Sequence, residues 1–278
     1  MREHIQNKRY HVEIIPPKQD SETLEADLQT FAEKYRRVMA SGYCACITDN
    51  AMGLLAFQGL ETIEYLNLPV PPEQVMIHLN TFHTKQNLDE ILDSGIKMGL
   101  KYILVVSGDG SERLPKLQPA DVGADGASSV TSVELIQYIR HYYPTYELGV
   151  AFNPYEPAEH EFDKMERKLA AGATFIITQP IIAQNAVVDE LLLKYPEIPA
   201  VVEAWMTKKL FLLSDVVGYK IPEDAEYKPI DTLRSLHAWY PTCGVYLSLL
   251  GFKIQYPIIE KLWKNIPSAP IAKTEVSA

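Results

Sequence analysis

Glu13 is the residue whose type and setting most favour chemistry in this chain of 278 residues. It lies between the apolar Val12 and Ile14 and is followed within four residues by two prolines. Burying a carboxylate among apolar side chains is costly unless the group is paired or used, and burial also raises the pKa of a carboxyl group. Glu13 is therefore a candidate general acid or base that works near neutral pH. The alternative is a structural ion pair with Lys18 or Lys168.

Other polar side chains share one property with Glu13, because each stands where a short apolar run ends or just beyond it. They are Thr48, Asp49, Asn50, His78, Asn80, Ser107, Asp109, Asn153, Thr178, Gln179 and Glu203. In a parallel α/β barrel, the C-terminal ends of the strands carry the active site. If the runs are parallel strands, these side chains line one site.

Eight short runs of apolar, β-branched or aromatic residues predict the strands that position these groups. The runs are Tyr10–Ile15, Tyr43–Thr48, Val75–Leu79, Tyr102–Val106, Glu147–Ala151, Phe175–Thr178, Ala200–Ala204 and Gly244–Leu249. Segments of helical period lie between them, as in Thr23–Met39, Asn87–Gly99, Thr131–Tyr142, Glu159–Ala171 and Val187–Tyr195. This alternation predicts an α/β fold, a single (β/α)8 TIM barrel over residues 1–266, with a flexible tail at 267–278. A doubly wound open sheet is the alternative, but no GxGxxG motif follows an early strand.

The composition is that of an ordinary globular protein, with 47% hydrophobic and 22% charged residues. A formal net charge of −10 disfavours nucleic acid or an anionic membrane as the main partner. No apolar run is long enough to span a bilayer, and the first residues lack the apolar segment of a signal peptide. We therefore expect a cytoplasmic protein.

The cysteines and histidines do not form a recognisable metal motif. Cys44 and Cys46 lie two residues apart in a strand-like run, and we expect both to be small buried side chains. No CxxC or HxxxH spacing occurs, so the sequence predicts no metal site. His4, His141 and His160 lie in polar or helical contexts and are expected to be solvated.

Five segments, in chain order, resemble motifs of the methylenetetrahydrofolate reductase family. They are Val12-Glu-Ile-Ile-Pro-Pro-Lys18, Ile77-His-Leu-Asn80, Val106-Ser-Gly-Asp109, Gly149-Val-Ala-Phe152 and the run from Lys168 to Gln179. The resemblance extends roughly from Val12 to Leu250. That family is a (β/α)8 barrel in which FAD passes a hydride from NAD(P)H to methylenetetrahydrofolate and yields methyltetrahydrofolate.

The resemblance implies a role for each matched position. Glu13 would be the catalytic acid that protonates the folate nitrogen while the methylene bridge opens. The folate-binding residues would be Asp109, Gln179, Thr178 and Asn80. The cofactor-binding residues would be Thr48, His78, Ser107, Asn153 and Lys168.

Several positions depart from the family pattern where the family binds flavin. Ser107 stands where the family has the Arg of Arg-Gly-Asp, and Asn153 lies where a Tyr-Pro-Glu is usual. Thr131 replaces a tyrosine, while Lys168 remains as the candidate phosphate partner. Loss of charged contacts to a diphosphate weakens binding, so we expect FAD to bind weakly or not at all.

Three functional hypotheses follow. The first is a reductase that uses NAD(P)H, with or without flavin. The second is a tetrahydrofolate-dependent methyltransferase or demethylase on the same barrel, with a methyl donor in the space that flavin would fill. The third is a non-catalytic partner subunit of a reductase, which the retention of Glu13, Asp109 and Gln179 disfavours. The expected partner is a small-molecule folate, and either a homo-oligomer or a partner subunit is compatible with the sequence.

Overall fold

Eight parallel strands close into a barrel in chain order, with the last strand paired to the first. The structure is a computed structural model that describes residues 1–7, 9–110 and 112–264. The strands are β1 (His11–Ile14), β2 (Cys44–Ile47), β3 (Val75–Leu79), β4 (Tyr102–Val105), β5 (Glu147–Phe152), β6 (Phe175–Pro180), β7 (Ala200–Trp205) and β8 (Gly244–Ser248). The predicted TIM barrel is thus confirmed, and the tail predicted at 267–278 lies outside the described residues.

Helices precede β1 and follow each strand. They are α1 (Arg2–Gln6), α2 (Leu24–Ala40), α3 (Gly59–Tyr65), α4 (Lys85–Lys97), α5 (Ser132–Tyr142), α6 (Ala158–Ala170), α7 (Ala186–Lys194), α8 (Ser214–Val217), α9 (Pro229–Trp239) and α10 (Tyr256–Lys264). Local sequence explains several of their starts. Thr131 caps α5 in a capping box with Glu134, and Asn185 caps α7 through its side-chain oxygen. No helix among these residues is long and apolar enough to cross a membrane.

The alternation of side chains along each strand divides the barrel into an inner and an outer layer. Residues such as Cys44, Cys46, Tyr102 and Phe175 form an inner cluster. The intervening residues of the same strands pack outward against the helices. Inside the barrel, position 149 accommodates only a glycine, because a Cβ there would overlap the ring of Phe175. Successive inner residues of one strand therefore reach from the floor of the barrel to its mouth.

Helix α1 packs beneath the N-terminal ends of the strands and changes the interpretation of His4. The expectation that His4 is solvated is wrong, because this side chain has no exposed surface and packs edge-on against Tyr102 at 4.9 Å between ring centroids. Burial lowers the pKa of His4 to about 2 and that of His11 to about 3. His141 and His160 are exposed, as expected.

The C-terminal ends of the strands open into longer connections. The connection from β7 to α9 contains a short 3₁₀ turn (Leu210–Leu213) and α8. Trp205, at the end of β7, packs with Leu213, Val217 and Ile221 in a separate apolar cluster. This cluster holds the connection beside the mouth of the barrel, where the candidate site lies.

Candidate functional site

Glu13 lies near the C-terminal end of β1, with its carboxyl group directed into the mouth of the barrel. The backbone N–H of Leu249 donates to Oε1 at 3.0 Å, and the Tyr246 hydroxyl donates to Oε2 at 3.3 Å. Burial raises the pKa of Glu13, and these two hydrogen bonds only partly oppose that rise. The group is therefore suited to carry a proton at a pH where an exposed glutamate is ionised.

Leu249 shows that the backbone itself is shaped around Glu13. Its φ is 52°, in the left-handed region that residues with a side chain rarely adopt. This conformation turns the chain immediately after β8 and places the Leu249 N–H against the carboxyl group. Strained backbone of this kind persists only where the surrounding structure enforces it, and it clusters at functional sites.

Tyr246 links Glu13 to a second group that can accept a proton. Its hydroxyl oxygen lies 3.3 Å from Nε2 of His78. Burial lowers the pKa of His78 to about 4, although the nearby Asp49 opposes this shift. Burial also raises the pKa of Tyr246 well above its ordinary value. A neutral imidazole and a protonated phenol thus form a hydrogen-bonded path that begins at Glu13.

Glu203 is a second carboxyl group in the mouth. The sequence predicts this glutamate at the end of a strand but does not indicate a role for it. Burial and the charge of Glu13 raise the pKa of Glu203 to about 8, against a hydrogen bond from Ser248. Its pattern in the sequence, one carboxylate among small apolar residues, is the same signal that identified Glu13. The sequence alone does not show that β8 is the single strand between β7 and β1 in the closed barrel, which brings Glu203 near Glu13.

The two predicted folate-binding residues on β6 have different surroundings. Gln179 is half-buried near the C-terminal end of β6, where the pairing with β7 shifts register between Ile177 and Pro180. The Thr178 hydroxyl accepts the backbone N–H of Glu203 at 3.1 Å. Thr178 therefore helps to position β7 and with it Glu203.

Asp109 is exposed on the loop after β4 and lies at the rim of the mouth. Gly108 and Gly110 on either side have φ of 83° and 72°; a Cβ at Gly108 would press on Asn80, and one at Gly110 would collide with Phe82. The two glycines therefore let the loop lie close against these side chains. The preceding Ser107 is also exposed.

Asn80, the fourth predicted folate-binding residue, already makes several hydrogen bonds. Its Nδ2 donates to the Asp49 carbonyl at 2.9 Å, and its Oδ1 accepts the Phe82 N–H at 2.7 Å. The Asp49 carboxylate accepts the Asn80 backbone N–H at 2.9 Å and lies 2.7 Å from Nε2 of His83. Asn80 thus joins the loops that follow β2 and β3 and is 2% exposed.

A cleft of about 540 Å³ opens at the rim next to these loops. Asp49 and His83 form part of its wall. Glu61, Glu64 and Glu90 also line it. Acidic side chains outnumber basic ones among the residues that line the cleft. The cleft therefore does not suit the anionic glutamate tail of a folate. The chemistry of the site therefore centres on the barrel mouth and not on this cleft.

The positions predicted to bind a cofactor fit a flavin poorly. The Lys168 amine donates to the Ala151 carbonyl at 2.7 Å, and burial lowers its pKa. The Asn153 backbone N–H donates to Glu161, and its side-chain oxygen accepts the Tyr155 N–H. These groups bond to the protein itself, and so they are not directed toward a diphosphate.

Thr48 is the exception among the predicted cofactor-binding residues. Its side chain is 4% exposed. Within the described part of the chain, the Thr48 hydroxyl has no hydrogen-bond partner. A buried polar group without a partner is costly, and a ligand in the mouth could supply one. Thr48 lies on the same strand face as Cys44 and Cys46, which belong to the inner cluster.

Comparisons with known proteins agree on the fold and the family. The profile of the methylenetetrahydrofolate reductase family matches residues 1–227. Among solved structures, an uncharacterized protein from Clostridium thermocellum that binds two copies of 5-methyl-5,6,7,8-tetrahydrofolic acid is 14% identical, with a TM-score of 0.62. The match covers 94% of this chain and 98% of that one.

A second solved structure, oxaloacetate acetylhydrolase with the inhibitor 3,3-difluorooxalacetate, is 8% identical with a TM-score of 0.50. The match covers 94% of this chain and 82% of that chain. No curated protein matches the chain in sequence. At these identities the structural likenesses support the barrel fold alone.

The raised pKa of Glu203 predicts a specific pH dependence of stability. Its pKa rises from an ordinary 4.5 to about 8 on folding, so its contribution to stability is full below about pH 4.5 and is lost as the pH rises to about 8. Urea unfolding of the wild type should show this decline, and Glu203→Gln should flatten it. The exposed Glu22→Gln is the control and should follow the wild type. Parallel pH profiles for Glu203→Gln and the wild type would contradict the buried carboxyl pair.

Proposed function

The chain belongs to the methylenetetrahydrofolate reductase family, and on that premise we propose that it is an oxidoreductase that interconverts methylene- and methyltetrahydrofolate. Glu13 serves as its general acid and base. The observation that supports this role is the buried carboxyl group of Glu13, hydrogen-bonded to Tyr246 and Leu249. The matched family profile spans residues 1–227 and so includes this position.

The proposed reaction requires one proton to be delivered to one nitrogen of the folate. When the methylene bridge of the substrate opens, a folate nitrogen must be protonated to leave an electrophilic iminium carbon. A protonated Glu13 donates that proton, and Tyr246 and His78 then offer a path for its replacement. NAD(P)H, the expected reductant, would supply the hydride for the iminium carbon. In the reverse direction the oxidised nicotinamide would accept that hydride, and the ionised Glu13 takes the proton back.

Folate is the proposed ligand because its pterin ring matches the polar groups at the mouth. A pterin presents several donors and acceptors along one edge, which suit an amide and a carboxylate. Gln179 is half-buried near the C-terminal end of β6, and Asp109 is exposed on the loop after β4. The structural neighbour from Clostridium thermocellum binds 5-methyltetrahydrofolic acid, which supports the same ligand class here.

A second candidate function is tetrahydrofolate-dependent methyl transfer. The engaged Lys168 and Asn153 favour it, because they leave few groups to hold a flavin. In that reaction Glu13 removes or returns the proton of the folate nitrogen that gains or loses the methyl group. A cytoplasmic location and a homo-oligomeric or partnered assembly remain predictions. A purely non-catalytic partner subunit is disfavoured, since it has no need of a buried Glu13.

The first prediction from this proposal concerns folate binding. Asp109→Asn and Gln179→Ala should each weaken the binding of 5-methyltetrahydrofolate by roughly 1–3 kcal/mol, because each leaves a ligand group without its partner. Isothermal calorimetry measures this directly. Asp125→Asn and Gln184→Ala, exposed residues of the same types, are the matched controls. Equal affinity in the wild type and both site variants would rule out this pterin contact.

A further prediction is that FAD binds weakly or not at all. Protein purified without added flavin should be colourless and should contain much less than one flavin per chain by absorbance. Stoichiometric FAD would contradict the prediction and indicate an ordinary flavin-dependent reductase. If the colourless protein oxidises NADH with methylenetetrahydrofolate, direct reduction is supported. If it does not react with NADH, methyl transfer is supported.

The catalytic role of Glu13 can be isolated from ligand binding. Glu13→Gln keeps the size of the side chain and one oxygen that can accept the Leu249 N–H, but it cannot exchange a proton. Turnover should fall by on the order of 10²-fold or more, while the folate dissociation constant changes little. The control Glu22→Gln should keep wild-type turnover. Near-wild-type turnover in Glu13→Gln would mean that Glu13 is structural.

A further inference from the structure

Three residues from separate parts of the fold meet beneath the floor of the barrel. They are His4 of α1, His11 of β1 and Cys44 of β2. One potential ligand atom from each residue lies within 4.8 Å of the other two, and all three residues have no exposed surface. His11 and Cys44 are direct neighbours in the register of β1 and β2.

The two imidazoles are held with their nitrogens facing each other. Nδ1 of His4 lies 3.1 Å from Nε2 of His11. The opposite nitrogen of each ring, Nε2 of His4 and Nδ1 of His11, is buried without a hydrogen-bond partner in the described part of the chain. The facing nitrogens are the ones available to a ligand, because only one of them can carry the proton of a hydrogen bond between two neutral imidazoles and the other then presents a lone pair.

The facing nitrogens and the Cys44 thiol lie close enough together for a single metal ion to bind all three after a small adjustment. Two nitrogens about 2.0–2.1 Å from one ion lie about 3.1–3.4 Å apart at the usual coordination angles. The observed 3.1 Å separation of the His4 and His11 nitrogens falls in this range. Sγ of Cys44 would have to move inward by up to about 1 Å to reach the thiolate–metal distance of about 2.3 Å.

We propose that His4, His11 and Cys44 bind a thiophilic d¹⁰ metal ion, Cu⁺ by preference, that attaches α1 to the first two strands. The site lies at the opposite end of the barrel from Glu13 and does not depend on the proposed folate chemistry. On binding, the Cys44 thiol releases its proton to solvent as the sulfur–metal bond forms. Each imidazole ligates in its neutral form and keeps its one N–H on the opposite nitrogen.

Charge balance decides between the two commonest d¹⁰ ions. One thiolate neutralises Cu⁺, but it leaves a net positive charge on Zn²⁺. An uncompensated charge is expensive in an apolar interior, and the inner cluster around Cys44 includes Cys46, Met76 and Tyr102. Thiolate and imidazole are ligands suited to Cu⁺.

The test measures Cu⁺ binding under anaerobic, reducing conditions in competition with a chromophoric Cu⁺ chelator. Because α1 covers the site, the full chain is loaded both in the native state and during refolding. The variants are Cys44→Ala and His4→Phe, the second of which keeps a ring against Tyr102. Cys46→Ala, a cysteine on the same strand and the same face, is the matched control. Circular dichroism of each metal-free variant confirms that it is folded.

We expect the wild type to take one Cu⁺ per chain and to unfold at a higher temperature when loaded, because a ligand that binds only the folded state stabilises it. Cys44→Ala and His4→Phe should each lower the Cu⁺ affinity by about 10–100-fold or more, at least the effect of losing a supporting group around a metal. Cys46→Ala should bind like the wild type.

Two results would overturn the proposal. Failure of the wild type to retain Cu⁺ after either loading would remove the site, as would equal affinity in all the variants. A parallel titration with Zn²⁺ tests the choice of ion. Tighter retention of Zn²⁺ than of Cu⁺ would overturn the charge-balance argument.

Discussion

The cost of burying carboxyl groups inside a closed barrel is the constraint on which the rest of the candidate site depends. Glu13 and Glu203 lie on strands separated only by β8, and burial raises the pKa of both. Hydrogen bonds from Leu249 and Tyr246 to Glu13 offset part of this cost. The left-handed backbone at Leu249 is part of the same solution. A carboxyl group of raised pKa in a ligand-accessible mouth is what acid–base chemistry on a folate nitrogen requires.

Individual strands run from the floor of the barrel to its mouth and contribute inward-facing residues at both ends. On β1, His11 and Glu13 lie on the same face because side chains alternate along a strand. His11 therefore belongs to the cluster at the floor, and Glu13 belongs to the mouth. Cys44 of β2 and Thr48, which directly follows that strand, likewise lie on one face, with Cys44 at the floor and Thr48 at the mouth. Strand register thus places a candidate metal cluster and a candidate acid–base site at opposite ends of one packed core.

The fold could be predicted because its signals are local. The strand predicted at Val75–Leu79 has those bounds in the structure, and the helix predicted at Thr131–Tyr142 begins one residue later. Glu13 could be singled out for the same reason, since a carboxylate in an apolar run is visible in the sequence. What the family resemblance added was an expected ligand, which composition and periodicity do not specify.

The rest depends on contacts between distant parts of the chain. The burial of His4 follows from the docking of α1 under the barrel, and the surrounding segment from Arg2 to Asn7 is mostly polar. The interaction between Glu203 and Glu13 depends on barrel closure, which brings β7 and β1 to either side of β8. Likewise, the engagement of Lys168 with the Ala151 carbonyl depends on how α6 packs on β5. None of these contacts has a local sequence signature.

The central claim is that burial in the barrel mouth raises the pKa of both Glu13 and Glu203. A carbon-13 NMR titration of protein labelled at the glutamate carboxyl carbons tests it most directly. Two resonances should titrate above the ordinary glutamate range, one absent from Glu13→Gln and the other from Glu203→Gln. Titration of every glutamate carboxyl near its ordinary value of 4.5 would contradict it.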